Sequence, residues 1–412
     1  MIRILHSADW HIGHTLRGFS REFEHRKVFD RLEQIVMERD VDALIIAGDV
    51  FDSQNPSGEA QQLFYSTLVR LSRAQPRMAV IITAGNHDAA GRLEAPQPLL
   101  AAFNIHAVGN VRRRGGKIDA TRHLIPISDR SGAVAAYVVA VSYPTAACLP
   151  NLTRLEGETG SPIVAGVRQL YAELVDALRP QMGGLPFILT GHLHVAGGIE
   201  SEGAERRILV GGQHAVPHNV FAPDAAYVAL GHLHKAQSIG RDSIRYSGSL
   251  MPMSATEVPY SHGVTLVTID GPSVLTEHIP IARPVPFLRV PESGDLRVSE
   301  LADHLKAMNP DNDLPLHLHP FVQIRLAREG LAPGFRDEVD RIGEEFALRV
   351  VDTRVTAATA GKDELKVSDP LIRLAEKNPE DLFRMAFERA HDSAPEPAHL
   401  DVFHQVAAEV PR

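Results

Sequence analysis

Cysteine is almost absent: in 412 residues only Cys148 carries a thiol. One cysteine excludes an intramolecular disulfide, and with no Cys-x-x-Cys pair there is no thiolate zinc site, so a reducing cytoplasm is the expected setting. No apolar run of about 18 residues occurs, and the opening MIRILHSADW turns polar too early for a signal peptide, so no membrane association is expected. Positive charge is also in deficit. Lys and Arg number 42 against 51 Asp and Glu, a net charge of -9, which argues against a protein that coats nucleic acid by bulk attraction. Local basic patches remain, the clearest being NVRRRGGK with Arg112, Arg113, Arg114 and Lys117, which reads equally as a solvated hairpin.

What is present is a 44% hydrophobic content, enough for two or three globular domains, and 21 histidines, several clustered beside acidic residues and glycines. Up to about residue 282 short β-branched runs alternate with polar clusters and helical stretches. The runs IRIL, ALIIA (Ala43 to Ala47), AVIITA, AAYVVAVS, FILT, YVAL and GVTLVTI read as buried strands. Between them, Val28, Leu32, Ile35 and Val36 share one helical face, and Leu63, Phe64, Leu68 and Leu71 share another. The alternation predicts an α/β core, a central sheet covered by helices. Prolines 280, 284, 286 and 291 then mark a boundary. Residues 287–356 follow a β-α-β-α-β pattern, a second small α/β domain, and 369–412 form a helical tail. In that tail Leu382, Phe383, Ala386, Phe387 and Ala390 line one face, as do Phe403, Val406, Ala407 and Val410; the two faces pack on each other or dock a partner.

The chemistry gathers at predicted strand ends. The first strand runs into SADWH, with Asp9 and His11; the second into AGDVFD, with Asp49 and further on Asp52; the third into AGNHD, with Asn86, His87 and Asp88. The next two end in the same word, GHLH, at Gly191–His194 and Gly231–His234. Any one of these has a bland reading, a turn aspartate or a structural histidine. Repeated in order at the carboxyl edge of an α/β sheet, where ligand sites assemble, they point to a metal centre. Carboxylate, amide and imidazole donors without thiolate suit manganese, iron or zinc better than calcium or copper(I). Asp-x-His on an extended segment would place Asp9 and His11 on one face, against the same ion. A carboxylate between two cations can bridge them, and such a pair suits attack at phosphorus.

The order D-x-H, G-D-x-x-D, G-N-H-D, G-H and G-H-x-H resembles the calcineurin-like metallophosphoesterases, and LHSADWHIGHTLRG, AGDVFDSQNPS and GNHDAAGRL resemble their DNA-repair nuclease branch. The resemblance covers essentially the whole chain. It implies a metallophosphoesterase sandwich over 1–282, a capping, DNA-selecting domain over 287–356, and a tail over 369–412 that grips a coiled-coil ATPase. It implies two divalent ions, manganese or else magnesium: one on Asp9, His11, Asp49 and His234, the other on Asp49, Asn86, His192 and His232. His87 would protonate the leaving oxygen or stabilise the transition state, and Asp88 would orient its ring. His14 and Arg17 would meet the DNA backbone. The implied activity is 3′ to 5′ exonuclease action on duplex ends and endonuclease action on single strands, in a homodimer within a heterotetramer or larger complex. Its dimer contact would use the helices holding Leu63 to Leu71 and Leu93 to Leu100, faces that also suit an intramolecular core.

Two rival activities use the same donors. A phosphomonoesterase would need cations to clamp a dianion, and no Arg lies within GDVFDS or AGNHDAAG, Arg92 coming only after the second. A small-molecule phosphodiesterase would have little use for the second domain and the apolar tail. A bare scaffold for an ATPase would require an incomplete ligand set. The two GHLH words are not a repeat, because nothing around them recurs. In the first only His192 matches a required position, so His194 is surplus.

Overall fold

The computed structural model describes residues 1–114, 116–149, 161–201 and 215–356, together with residues 380, 383, 384, 387, 395, 399, 400 and 403 of the tail. Residues 1–358 form one unit and 359–412 a second.

Two six-stranded mixed sheets lie face to face. The first runs Ser273–Pro280, Gly263–Asp270, Ile2–Ser7, Ala43–Ala47, Ala79–Thr83, Ile105–Val108; the second Gln237–Ile239, Arg241–Tyr246, Tyr227–Gly231, Phe187–His192, Val134–Val139, Leu124–Ser128. Successive side chains of a strand point to opposite faces, and in central strands such as Ala43–Ala47 and Ala79–Thr83 both faces are covered, so these are apolar throughout. Ala43, Ile45 and Ala47 enter the core between the sheets with Ile188, Tyr227 and Ala229. Their neighbours Leu44 and Ile46 face outward against helices Glu22–Arg39 and Gly58–Ala74. Val228, Leu230 and Leu189 likewise meet helix Pro162–Leu178. The result is a helix, sheet, sheet, helix sandwich, with Leu63, Phe64, Leu68 and Leu71 spent inside its core. Ser57 caps the second helix, its hydroxyl accepting the Ala60 N–H at 3.2 Å.

A three-stranded parallel sheet, Phe287–Val290, Phe321–Ala327 and Arg349–Thr356, follows, flanked by helices Val298–Ala307 and Phe335–Glu344. It has its own core of Val290, Leu301, Leu305, Val322, Ile324 and Val339. It sits on the sandwich through Phe287 and Phe321, packed with Leu16, Ala255 and Val285. The Arg349 guanidinium lies 3.6 Å from the Phe321 ring centre, a contact on the order of 1 kcal/mol. In the second unit, Phe383 stacks on Phe403 at 4.8 Å and Phe387 meets His399 at 4.8 Å, so these rings of the two tail segments pack on each other. Leu382, Ala386, Ala390, Val406, Ala407 and Val410 lie outside the described residues. Among the described residues, no helix is long and apolar enough to cross a membrane.

Candidate metal centre

Three parallel strands of the first sheet and two of the second deliver their carboxyl ends to one edge of the sandwich. The first three contribute Asp9 and His11, then Asp49, then Asn86 and His87; the other two contribute His192, His232 and His234. The two sheets meet directly at that edge, where His192 Nδ1 donates to the Ala47 carbonyl at 2.8 Å. A carbonyl can only accept, so Nδ1 carries the hydrogen and Nε2 faces the cluster.

Asp49 lies at the centre. Its Oδ1 accepts the His87 backbone N–H at 2.8 Å, while Oδ2 is 3.3 Å from His192 Nε2 and 3.7 Å from His11 Nε2. On one side the Asn86 carbonyl oxygen is 3.0 Å from His192 Nε2 and 3.2 Å from His232 Nδ1. On the other, donor atoms of Asp9, His11 and His234 all lie within 4.8 Å of one another; Asp9, Asp49 and His192 form a second such group. His11 Nε2 is buried without a hydrogen-bond partner, the condition of a side chain that a cation would satisfy.

The backbone is bent hard to achieve this. Asp9, His11, Asp49 and His232 have φ of 53°, 45°, 48° and 102°, in the left-handed region that such residues rarely occupy. Each costs on the order of 1–3 kcal/mol, and strain of this kind concentrates at functional sites. Asp9 and His11 therefore converge through a contorted loop, not on the pleat of an extended segment: the strand ends at Ser7, and the Asp9 and His11 amides donate to Gly48 and Asp49 carbonyls at 3.1 and 3.0 Å. A Cβ on Gly85 would overlap the Asp49 carboxylate, and one on Gly48 the His192 ring.

Burial opposes charge on His192, yet Asp49 and Asp9 outweigh it and raise its pKa to about 9. Asp49 moves the opposite way: burial favours its neutral form, but the surrounding imidazoles hold it well below the usual carboxylate range. Asp9 is raised by burial. Two carboxylates sealed among imidazoles, with no thiolate, are a donor set that fits divalent cations.

Asp88 has different partners from the one the sequence suggested, and the structure gives Asp52, Arg17, His14 and His194 surroundings of their own. Asp88 does not reach for the His87 ring: Oδ1 accepts the Phe51 N–H and Oδ2 the N–H groups of Val50 and Gly85, at 2.8–3.0 Å. Both oxygens brace the two ligand loops, and burial followed by repulsion from Asp49 lifts the Asp88 pKa to about 6. The His87 ring is held instead by the Asp52 carbonyl, which accepts from Nδ1 at 2.8 Å. Asp52 also sets Oδ1 3.3 Å from His11 Nδ1, a contribution legible only as the second Asp of the G-D-x-x-D spacing. Arg17 donates to Asp340 of the small domain at 2.8 Å, and burial lowers the His14 pKa to about 3. His194 pairs with Glu200 at 3.2 Å, its ring centre 6.5 Å from that of His232, and joins none of the donor groups.

A double-sheet sandwich with carboxylate, amide and imidazole donors gathered on one edge is a phosphoesterase architecture, and the chain belongs to the calcineurin-like phosphoesterases, whose family model matches residues 2–236. A second model, described as the type 5 capsule protein repressor C-terminal domain, matches residues 283–391. The chain is 44% identical over 389 residues to SbcD of the SbcCD nuclease from Rhodobacter capsulatus, covering 94% of both chains. It is 39% identical to the SbcD of Bacillus subtilis over 65% of this chain and 66% of the relative, and 33% identical to that of Escherichia coli over 72% of each. Within the phosphoesterases it is a member of the SbcD group.

Proposed function

We propose that the chain is the metal-dependent DNA nuclease component of an SbcCD-type complex, a hydrolase of phosphodiester bonds that processes DNA ends and hairpins in repair and recombination. The observation that carries the reading is Asp49, whose carboxylate stands between two buried groups of donors. In this reading Asp9, His11, Asp49 and His234 hold one divalent ion and Asp49, Asn86, His192 and His232 the other, manganese being preferred and magnesium the alternative. When bound, two such ions supply an activated water and neutralise charge at phosphorus.

The rest falls to the chain's own groups. With His87 Nδ1 donating to the Asp52 carbonyl, the ring in its doubly protonated form would hand the Nε2 proton to the leaving oxygen. The strain at Asp9, His11, Asp49 and His232 is held by packing, so the donors are set before substrate arrives. The Arg17–Asp340 pair ties the loop after His11 to the small domain, which in this reading selects the DNA entering the cleft. The tail grips an SbcC-type coiled-coil ATPase. Two copies pair to form the core of a heterotetramer; Leu99, within the stretch Leu93 to Leu100 expected at the pairing surface, and Phe103 just beyond it are 75% and 43% exposed. Digestion runs 3′ to 5′ on duplex ends, with endonuclease action on single strands, in the cytoplasm.

The test compares bis(p-nitrophenyl) phosphate, p-nitrophenyl phosphate and end-labelled linear duplex DNA, each with manganese or magnesium. Hydrolysis of the diester and of DNA, fastest with manganese, is expected. A preference for the monoester would overturn the nuclease reading.

A further inference from the structure

Outside the donor set, one buried carboxylate stands directly behind a proposed ligand. Glu257 is fully buried at the end of a short turn, Ala255–Glu257. Its Oε1 is 2.9 Å from His234 Nδ1 and accepts the Ser201 hydroxyl at 3.2 Å; its Oε2 accepts the Met253 N–H at 2.8 Å. A buried carboxylate is expensive unless every lone pair it offers is met, and this one has a donor on each oxygen.

The turn is itself held by one arginine of the sandwich and one of the small domain. Arg21, buried and paired with Glu24 at 2.7 Å, donates to the Pro252 carbonyl, and Arg289 donates to the Ala255 carbonyl at 2.9 Å. Ala255 belongs to the apolar cluster on which Phe287 and Phe321 sit. The Glu257 carboxylate is therefore anchored at both oxygens and through its backbone, while the imidazole it meets shares a donor group with Asp9 and His11, the His11 ring being 5.2 Å away.

From this geometry we infer that Glu257 is a positioning residue for the metal centre: it fixes His234 with hydrogen on Nδ1 and Nε2 presented to the ion shared with Asp9 and His11. The inference rests on the reading of His234 as a ligand. An ionised carboxylate can only accept, so it permits one tautomer; a glutamine amide offers one acceptor for two donors. In Glu257→Gln either the Met253 N–H or His234 Nδ1 faces an NH2 group. If it is His234, its hydrogen moves to Nε2, the atom the metal needs. Carboxylates behind ligating histidines are worth about 10–100-fold in metal affinity.

The experiment titrates the chelator-treated full chain with manganese by calorimetry, comparing wild type, Glu257→Gln and His234→Ala, with melting in chelator as the check on folding. The expected result is one weakened site in Glu257→Gln, by about 10–100-fold, at a melting temperature near wild type. His234→Ala should lose the same site. If Glu257→Gln binds both ions as wild type does while His234→Ala loses one, the role of Glu257 is overturned and the ligand assignment stands. If His234→Ala also keeps both, the assignment itself falls. Should Glu257→Gln not fold, the 15N-histidine spectrum of the magnesium-loaded wild type decides: hydrogen on His234 Nδ1 supports the inference, and hydrogen on Nε2 overturns it.

Discussion

Asp49 accepts the backbone N–H of His87 through one carboxylate oxygen, at 2.8 Å, and turns the other toward His192 and His11. One side chain thus ties the loop of the proposed proton donor to the middle of the donor cluster. Asp49→Ala should remove the shared ligand and the loop anchor together, and metal content measured by emission spectrometry should fall from about two ions per chain to near none. His87→Ala leaves the cluster intact: metal content should hold while kcat on bis(p-nitrophenyl) phosphate drops by about 10²–10⁴-fold. Metal loss in His87→Ala would contradict this separation of roles.

The two GHLH words give a sharper contrast. His192 is sealed between Ala47, Asn86 and Asp49, whereas His194 is 29% exposed and pairs with Glu200. His192→Ala should strip a metal ion and abolish hydrolysis. His194→Ala should bind manganese with affinity within about twofold of wild type, being a surface substitution away from the donors.

Gly85 tests the packing behind the ligands. A methyl group there would overlap the Asp49 carboxylate, and the backbone amide of Asp49 leaves it nowhere to go. Gly85→Ala should weaken manganese binding by at least about tenfold and lower stability by about 1–3 kcal/mol. Wild-type values for both would mean that the loop relaxes freely.

Acid stability reports a buried histidine that is not itself one of the donors. His6 is buried against the Tyr227 hydroxyl at 3.0 Å, and burial, aided by the Arg245 charge, lowers its pKa to about 3. Its unfolded value is near the ordinary 6.5, so below that pH the unfolded chain binds the proton and the folded chain does not. The stability contributed by neutral His6 is whole above pH 6.5 and is lost as pH falls from 6.5 toward 3, by up to about 1.4 kcal/mol per unit. Urea unfolding in chelator, which removes any contribution from metal release, should show a shallower slope in this window for His6→Asn. An unchanged slope would assign the acid sensitivity elsewhere.

The tail and the hydrolytic site should separate. Deleting residues 369–412 is expected to abolish capture of the coiled-coil ATPase while leaving metal-dependent hydrolysis of bis(p-nitrophenyl) phosphate within about twofold of the full chain, because the donors come from residues 9–234. Loss of both activities would sink that division of labour.

The sequence by itself determined the central strands, because strands such as Ala43–Ala47 and Ala79–Thr83 are buried on both faces and so read as uninterrupted apolar runs. It also determined the order of donors along the chain. It did not disclose the strand Arg241–Tyr246 or the edge strand Ser273–Pro280, whose polar and exposed residues interrupt the apolar signal, nor helix Pro162–Leu178. Only the tertiary structure decided how the donors converge. Asp9 and His11 meet their partners through left-handed backbone that no spacing rule implies, and Asp88 serves three backbone amides, not the ring beside it. Glu257 stands behind His234 although 23 residues separate them in the chain. The physical reason is common to all three: hydrogen-bond partners and strained torsions are fixed by what packs around a residue, and that packing brings together segments whose sequences carry no trace of one another.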